Sequence, residues 1–302
     1  MSKILVSGLI NIETTLKIDS FPLEYNPANY PFFGIKSNVS GVGYNVAKAL
    51  NTLGSEIQLM AMIADDMAGE MVKKAFARDG LDSHYLRENL TGTPQSVILY
   101  DQEGKRQIHT DLKDIQEQFY PIDKFKEAVS QAEIVCLCNI NFSRHFIRKA
   151  KKLDKIIASD VHAISELDDE YNKDFMAAAD ILFMSDEELP EPPKEWAKKV
   201  LDKYEPEILV IGLGKKGALL AVEKDDYLEI HPAIKTRKVI NTVGAGDALF
   251  SAFIHFYNQD YTPYEALDKA MVFASYKIGT ARAAKGFLTE EKLIDLSKRI
   301  SN

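Results

Sequence analysis

The chain reads as an α/β protein, a doubly wound and mostly parallel sheet carrying a small β-sheet lid. Three observations predict this. Short apolar runs alternate with helix-length stretches along most of the chain, two segments in the first third break that rhythm with strand patterns, and a run of small residues opens an apolar helix at Gly244.

The apolar runs at residues 4–6, 57–61, 134–137, 156–158, 181–184 and 208–211 have the length of buried strands. Helical stretches at residues 46–53, 67–78, 146–153 and 193–204 lie between them. Strands joined through helices imply crossover connections, and so a parallel sheet covered on both faces. Residues 14–40 carry Pro22, Pro27 and Pro31 and show no helical period, so they read as strands and loops. Residues 96–109 place two strand runs around a turn containing Gly104, the pattern of a hairpin. These two segments, about 13–39 and 95–111, make the expected lid, set over the carboxyl edge of the sheet where open α/β folds bind ligands. Residues 1–302 are read as a single domain bearing that lid.

At 46% hydrophobic and 27% charged residues the chain can bury a substantial core. Its net charge of −8 argues against a nucleic-acid partner, because neutralising phosphates needs clustered Lys and Arg. Small molecules are the expected partners. Cys136 and Cys138 sit two apart in an apolar run, so a strand would point both to one face as core packing in a reducing compartment. The start, Met1-Ser-Lys-Ile-Leu-Val, has no basic and then long apolar pattern, and no apolar run reaches the ~18 residues of a membrane helix. Cytoplasmic residence, with no membrane contact, is the expectation.

The chemistry concentrates in Asn241-Thr-Val-Gly-Ala-Gly-Asp247. Gly244, Ala245 and Gly246 are small residues directly before an apolar helix, so first-turn amides can approach an anion unobstructed, aided by the helix dipole. Asp247 at that helix start could accept a proton from a substrate hydroxyl, or could simply cap the helix. The two flanking glycines favour chemistry. Near the N-terminus, Gly41, Gly43 and Asn45 lie in a glycine turn running into a helix, where bare backbone and an amide side chain could meet the hydroxyls of a polyol. The bland reading is a turn that only starts a helix. Gly212-x-Gly214-x-x-Gly217 after a strand matches a dinucleotide fingerprint, but residues 218–222 and 227–230 read as a hairpin where that fingerprint requires a helix.

The segment ending at Asp247 resembles the D-T-x-G-A-G-D signature of the ribokinase-like, or phosphofructokinase-B type, carbohydrate kinases. Ser40-Gly-Val-Gly-Tyr-Asn-Val-Ala resembles that family's G-G-x-x-x-N-x-A segment, and the matches run in the family's order from Asn11 to residues 281–286. The resemblance implies an ATP-dependent kinase with Asp247 as catalytic base and Gly244, Ala245 and Gly246 as an anion hole. It further implies Asn11, Gly41, Gly43, Asn45 and Asp247 around the substrate. Ser185, Gly212, Gly214, Lys215, Gly217, Gly246 and Ser275 fall around the nucleotide, and Glu188 would organise Mg2+ through water.

Three departures stand out. Asn241 replaces an Asp that helps hold the cation in potassium-activated members, leaving K+ dependence open; Ser185 replaces an Asn, and Ser40 a Gly. The expected acceptor is an unphosphorylated sugar, since Lys and Arg are sparse beside the two signatures. A nucleoside is the alternative, and a non-catalytic sugar- or nucleotide-binding relative is a third reading motivated by Ser185 and Asn241. Tyr25, Tyr30, Phe32 and Phe33 could stack on a base, form the lid's own apolar face, or join two lids in a homodimer. The six histidines show no close pairing, so no zinc cage is expected.

Overall fold

Apolar runs too continuous for one exposed face become the centre of a large sheet. The computed structural model describes residues 3–103, 105–280 and 283–301. Gly104 of the hairpin turn and residues 281 and 282 of the C-terminal segment lie outside the described residues.

The order begins β1 (Lys3–Ser7), β2 (Asn11–Lys17), β3 (Ile35–Ser40), α1 (Val42–Leu53), β4 (Ile57–Ile63), α2 (Met67–Asp79), β5 (Leu86–Glu88), β6 (Gln95–Tyr100) and β7 (Arg106–Asp111). It continues α3 (Ile122–Val129), β8 (Ala132–Leu137), α4 (Asn141–Arg144), α5 (Ile147–Lys151), β9 (Ile156–Ala163), α6 (Lys173–Met176), β10 (Ile181–Ser185) and α7 (Pro193–Tyr204). The last part is β11 (Ile208–Gly212), β12 (Ala218–Val222), β13 (Tyr227–His231), α8 (Ala245–Tyr257), α9 (Pro263–Lys277) and α10 (Glu290–Ser301).

Nine strands form the large sheet in the order β13-β12-β11-β10-β9-β8-β1-β4-β5. From β11 to β5 every neighbouring pair is parallel, and β12 and β13 close one edge as an antiparallel hairpin. Alternate side chains of one strand feed two cores. Ile4 and Val6 pack with α1, α8 and α9 on one face, whereas Leu5 packs with α3 and α7 on the other. Cys136 and Cys138 share the first of these cores as free, buried thiols, as strand alternation predicts. Because the parallel strands all end at one edge, their carboxyl ends line up there.

The second sheet, in the order β3-β2-β6-β7, is mixed rather than antiparallel throughout, since β2 and β6 run parallel between two antiparallel pairs. It follows directly from the end of β1, which sets it beside the carboxyl edge. The lid aromatics differ from one sequence reading. Tyr25, Tyr30, Phe32 and Phe33 are 93, 78, 87 and 96% exposed, so they build no apolar face within the lid. Among the described residues no helix is long and apolar enough to cross a membrane.

Helix α8 carries the key aspartate on its first turn, and its position is fixed by ring packing. Phe250 and Phe253 meet Phe183 of β10 edge to face, with centroids 5.1 and 5.3 Å apart. Helix α9 returns along α8 and starts with a capping box between Thr262 and Glu265, with Pro263 in its first turn. Truncating Phe253 to Ala removes a fully buried ring and should cost about 3–5 kcal/mol of stability, read by chemical denaturation; a loss under about 1 kcal/mol would contradict this packing.

Candidate active site

The turn before α8 is built by its own backbone. The Asn241 side chain accepts from the Val243 amide at 2.9 Å, and the Ile240 and Asn241 amides donate to the Ile278 carbonyl at 2.8 and 3.0 Å. Gly244 then adopts φ 75°, and a Cβ there would lie 3.1 Å from the backbone of Ala283. Only glycine makes this turn without strain. The Ala245 amide donates to the Thr242 carbonyl at 3.0 Å, so it is occupied. Among the described residues the Gly246 and Asp247 amides have no backbone acceptor. The Gly244 amide likewise has none, so of the expected 244–246 amides only that of Ala245 is occupied.

Asp247 is buried, and its Oδ2 accepts from Asn45 Nδ2 at 2.7 Å. That bond joins α1 to α8, two elements that sequence alone leaves far apart. Asn45 belongs to a longer polar chain. Ser40 Oγ donates to Glu13 Oε2 at 3.0 Å and lies 3.4 Å from Asn45 Oδ1. Asn11 Nδ2 donates to Ser96 Oγ at 2.6 Å, while Asn11 Oδ1 is buried with no protein partner among the described residues. An orphaned buried acceptor of this kind is a natural seat for a ligand hydroxyl.

Burial, the largest cause, raises the Asp247 pKa above the ordinary carboxylate value; Asp160 pushes it the same way, and His162, Asn45 and Lys277 oppose it. Glu13 is raised too, chiefly by burial, against the Ser40 hydrogen bond and the attraction of Lys277. Asp160 ends near the nest, its Oδ2 3.7 Å from where a Gly246 Cβ would stand. His162, held by its amide bond to Asp160 Oδ1 at 2.9 Å, has φ 59°, a sterically costly setting for a non-glycine residue.

The sequence-predicted residues distribute as follows. Gly41, at φ 99°, starts α1, but Gly43 faces the backbone of Gly8, where a Cβ would sit at 2.6 Å; this glycine allows helix–strand contact rather than approach of a ligand. Ser185 and Gly212 are register partners at the ends of β10 and β11, so they meet at the carboxyl edge. Gly214, Lys215 and Lys216 form an exposed 3-10 turn ending at Gly217, and β12 and β13 follow as the hairpin. That geometry removes the dinucleotide-fold alternative. The Ser275 hydroxyl is engaged by the Thr236 amide at 3.1 Å. Glu188 is exposed beyond β10, and its neighbour Glu187 accepts from Arg106 of the lid at 3.3 Å. Arg106 also reaches Thr242 Oγ1 at 3.3 Å, tying the lid to the turn before the nest.

Sequence reasoning missed Glu13, Asp160, His162, Arg106 and Lys277. Glu13 had a signal, since it stands two residues beyond Asn11 on one strand and shares its face. The basic groups near the site were also undercounted. A cleft of about 320 Å³ is lined by Glu13, Ser40, Lys48, Lys74, Arg78 and Lys285, drawn from segments distant in sequence.

A buried carboxylate beside unsatisfied amides at a helix start suits one chemistry above others: removing a proton from a hydroxyl while an anion forms alongside. Comparison with known proteins agrees. The family model described as pfkB family carbohydrate kinase matches residues 1–289. The chain belongs to the pfkB family of carbohydrate kinases, phosphotransferases with a hydroxyl acceptor. It is 24% identical over 255 residues to acarbose 7(IV)-phosphotransferase of Actinoplanes sp., covering 83% of each chain. It is 25% identical over 301 residues to the ATP-dependent ribose-1-phosphate kinase of Halopiger xanaduensis, covering 96% of this chain and 99% of that one. A microbiome-derived acarbose kinase superposes with a TM-score of 0.87 at 24% identity over 99% of both chains. Ribokinase of Arabidopsis thaliana, solved with ribose and ATP, gives 0.79 at 20% identity over 98% of this chain and 99% of that one.

If Asp247 serves as a base it must be ionised, so kcat/KM should then climb with pH as it loses its proton, and the climb should lie above the range of an exposed aspartate. Asn45→Ala deletes a hydrogen bond favouring the ionised form and should move the climb to still higher pH. An unmoved limb in that variant, measured by ADP release across pH, would contradict the assignment.

Proposed function

We propose that this protein transfers the γ-phosphoryl group of ATP to a hydroxyl of an unphosphorylated sugar. The observation that carries the substrate reading is the set of buried acceptors Asn11 Oδ1, Glu13 and Asp247, the last two linked through Ser40 and Asn45. Sugar hydroxyls are donors that satisfy such a wall, whereas a phosphate set against two carboxylates would be repelled.

In the proposed reaction Asp247 takes the proton of the attacking hydroxyl as the oxygen–phosphorus bond forms. The Gly246 and Asp247 amides hold an equatorial oxygen of the transferred group, and ADP leaves toward the loop of Gly212, Gly214, Lys215 and Gly217. Catalysis of this kind is mainly positioning and electrostatics. The lid, braced by Arg106 against Thr242 and Glu187, excludes water that would compete as acceptor.

Magnesium needs no cage here, because it binds through one or two carboxylates, water and the substrate's own phosphates. Glu188, exposed just beyond Ser185, offers such a carboxylate, and the ion would neutralise charge on the phosphate oxygens. The exposed lid aromatics fit contact between the lids of two copies.

A second reading has its own support. Lys48, Lys74, Arg78 and Lys285 line the cleft that Glu13 and Ser40 also border, and they could anchor a sugar already carrying a phosphate, although Asp79 pairs with Lys48 and Arg78 at 2.8 Å. ADP release over ribose, deoxyribose, acarbose, ribose 1-phosphate, fructose 6-phosphate and inosine separates the readings. Highest kcat/KM on a neutral sugar supports the first, and on a sugar phosphate the second. With the best acceptor, Asp247→Asn should lower kcat by at least ~10²-fold. Near-wild-type turnover would sink the base assignment.

A further inference from the structure

Lys277 ends α9 and is wholly buried, which is rare for a lysine without a carboxylate partner. Among the described residues it makes no ion pair within 4.0 Å. Its ammonium donates instead to the main-chain carbonyl of Val243, the residue immediately before Gly244. A lysine in apolar surroundings could lower its cost by losing its proton, and burial does bring it down to about 8. Asp247 and Glu13 draw it back up, while Arg106 repels it. The groups that pull on it are the two carboxylates of the substrate wall.

We infer that Lys277 is a fixed positive charge behind the amide nest, which holds the turn through the Val243 carbonyl and makes a bound monovalent cation unnecessary for phosphoryl transfer. The inference rests on the reading of Gly246 and Asp247 as the phosphoryl site. Its physical basis is simple. Negative charge sits on Asp247 until it takes the hydroxyl proton and is carried by the oxygens of the transferred group, and both lie at the start of the helix that the Val243 turn introduces. A cation held there favours the transition state and the ionised base together. A carbonyl that accepts from an ammonium also stands beside a positive charge, which repels K+ from that oxygen. Asn241, whose side chain is turned back onto the Val243 amide, adds no negative charge that would call for a metal cation in that turn. Lys277 acts through the turn, so it is a positioning residue.

The test compares wild type, Lys277→Met, Lys277→Arg and Asp247→Asn with MgATP and the best acceptor of the panel, in tetramethylammonium buffer with K+ or ammonium added. Wild-type kcat should change less than ~2-fold on adding either ion, and Lys277→Met should lose at least ~10-fold in kcat with acceptor KM nearly unchanged. Ammonium should restore part of that loss, and Lys277→Arg should retain more activity than Lys277→Met. A wild type activated severalfold by K+, a Lys277→Met enzyme with wild-type kcat, or one that no ammonium concentration improves would each overturn the inference. If Lys277→Met does not fold, the response of wild type to K+ still decides. The two readings separate: Asp247→Asn retaining its rate defeats the phosphoryl-site reading, whereas its loss beside an active Lys277→Met defeats only the role of Lys277.

Discussion

The structure depends on burying one carboxylate beside two unpaired amides. Taking Asp247 out of water is unfavourable, and the surroundings must return most of that cost through directed interactions. Asn45 supplies a hydrogen bond at 2.7 Å, the helix start supplies its dipole, and Lys277 supplies a cation without approaching close enough to neutralise the base. Each of these three comes from a different element, α1, α8 and α9. Their arrangement exists only when those helices pack correctly against one another.

That packing is why the apolar content of α8 and its neighbours matters beyond stability. Phe250 and Phe253 seat the helix on Phe183, and Phe183 belongs to the strand whose end carries Ser185. Asp247 and the strand end at Ser185 therefore share one packed support. The lid joins the same core through Ile12 and Val39 and reaches the turn before α8 through Arg106, whereas its exposed loop aromatics add nothing to the core.

Much of this was legible in the sequence, and the reasons differ by residue. The parallel sheet followed from unbroken apolar runs, because strands buried on both faces have no polar side to show. Asp247 and its bare amides were legible because a helix start is a local event that small residues announce. The hairpin after Gly217 was legible by the same kind of local pattern, and it was enough to set aside a dinucleotide fold. Glu13 was readable from its period-two relation to Asn11, but not that it is buried and holds a hydrogen bond from Ser40 of another strand. Lys277 was not readable, since its meaning depends on a helix end meeting a turn 34 residues earlier. Gly43 misled for a related reason, because its bare face is filled by Gly8 of another segment. Local chemistry was visible, and whatever needed two distant segments in contact was not.

The most direct test of the central claim is a crystal structure with a non-hydrolysable ATP analogue and the best sugar acceptor bound together. The account predicts the accepting hydroxyl within about 2.6–3.2 Å of an Asp247 carboxylate oxygen, with a terminal phosphate oxygen against the Gly246 and Asp247 amides. An acceptor hydroxyl out of hydrogen-bond reach of Asp247, or a terminal phosphate held elsewhere than at those amides, would contradict it.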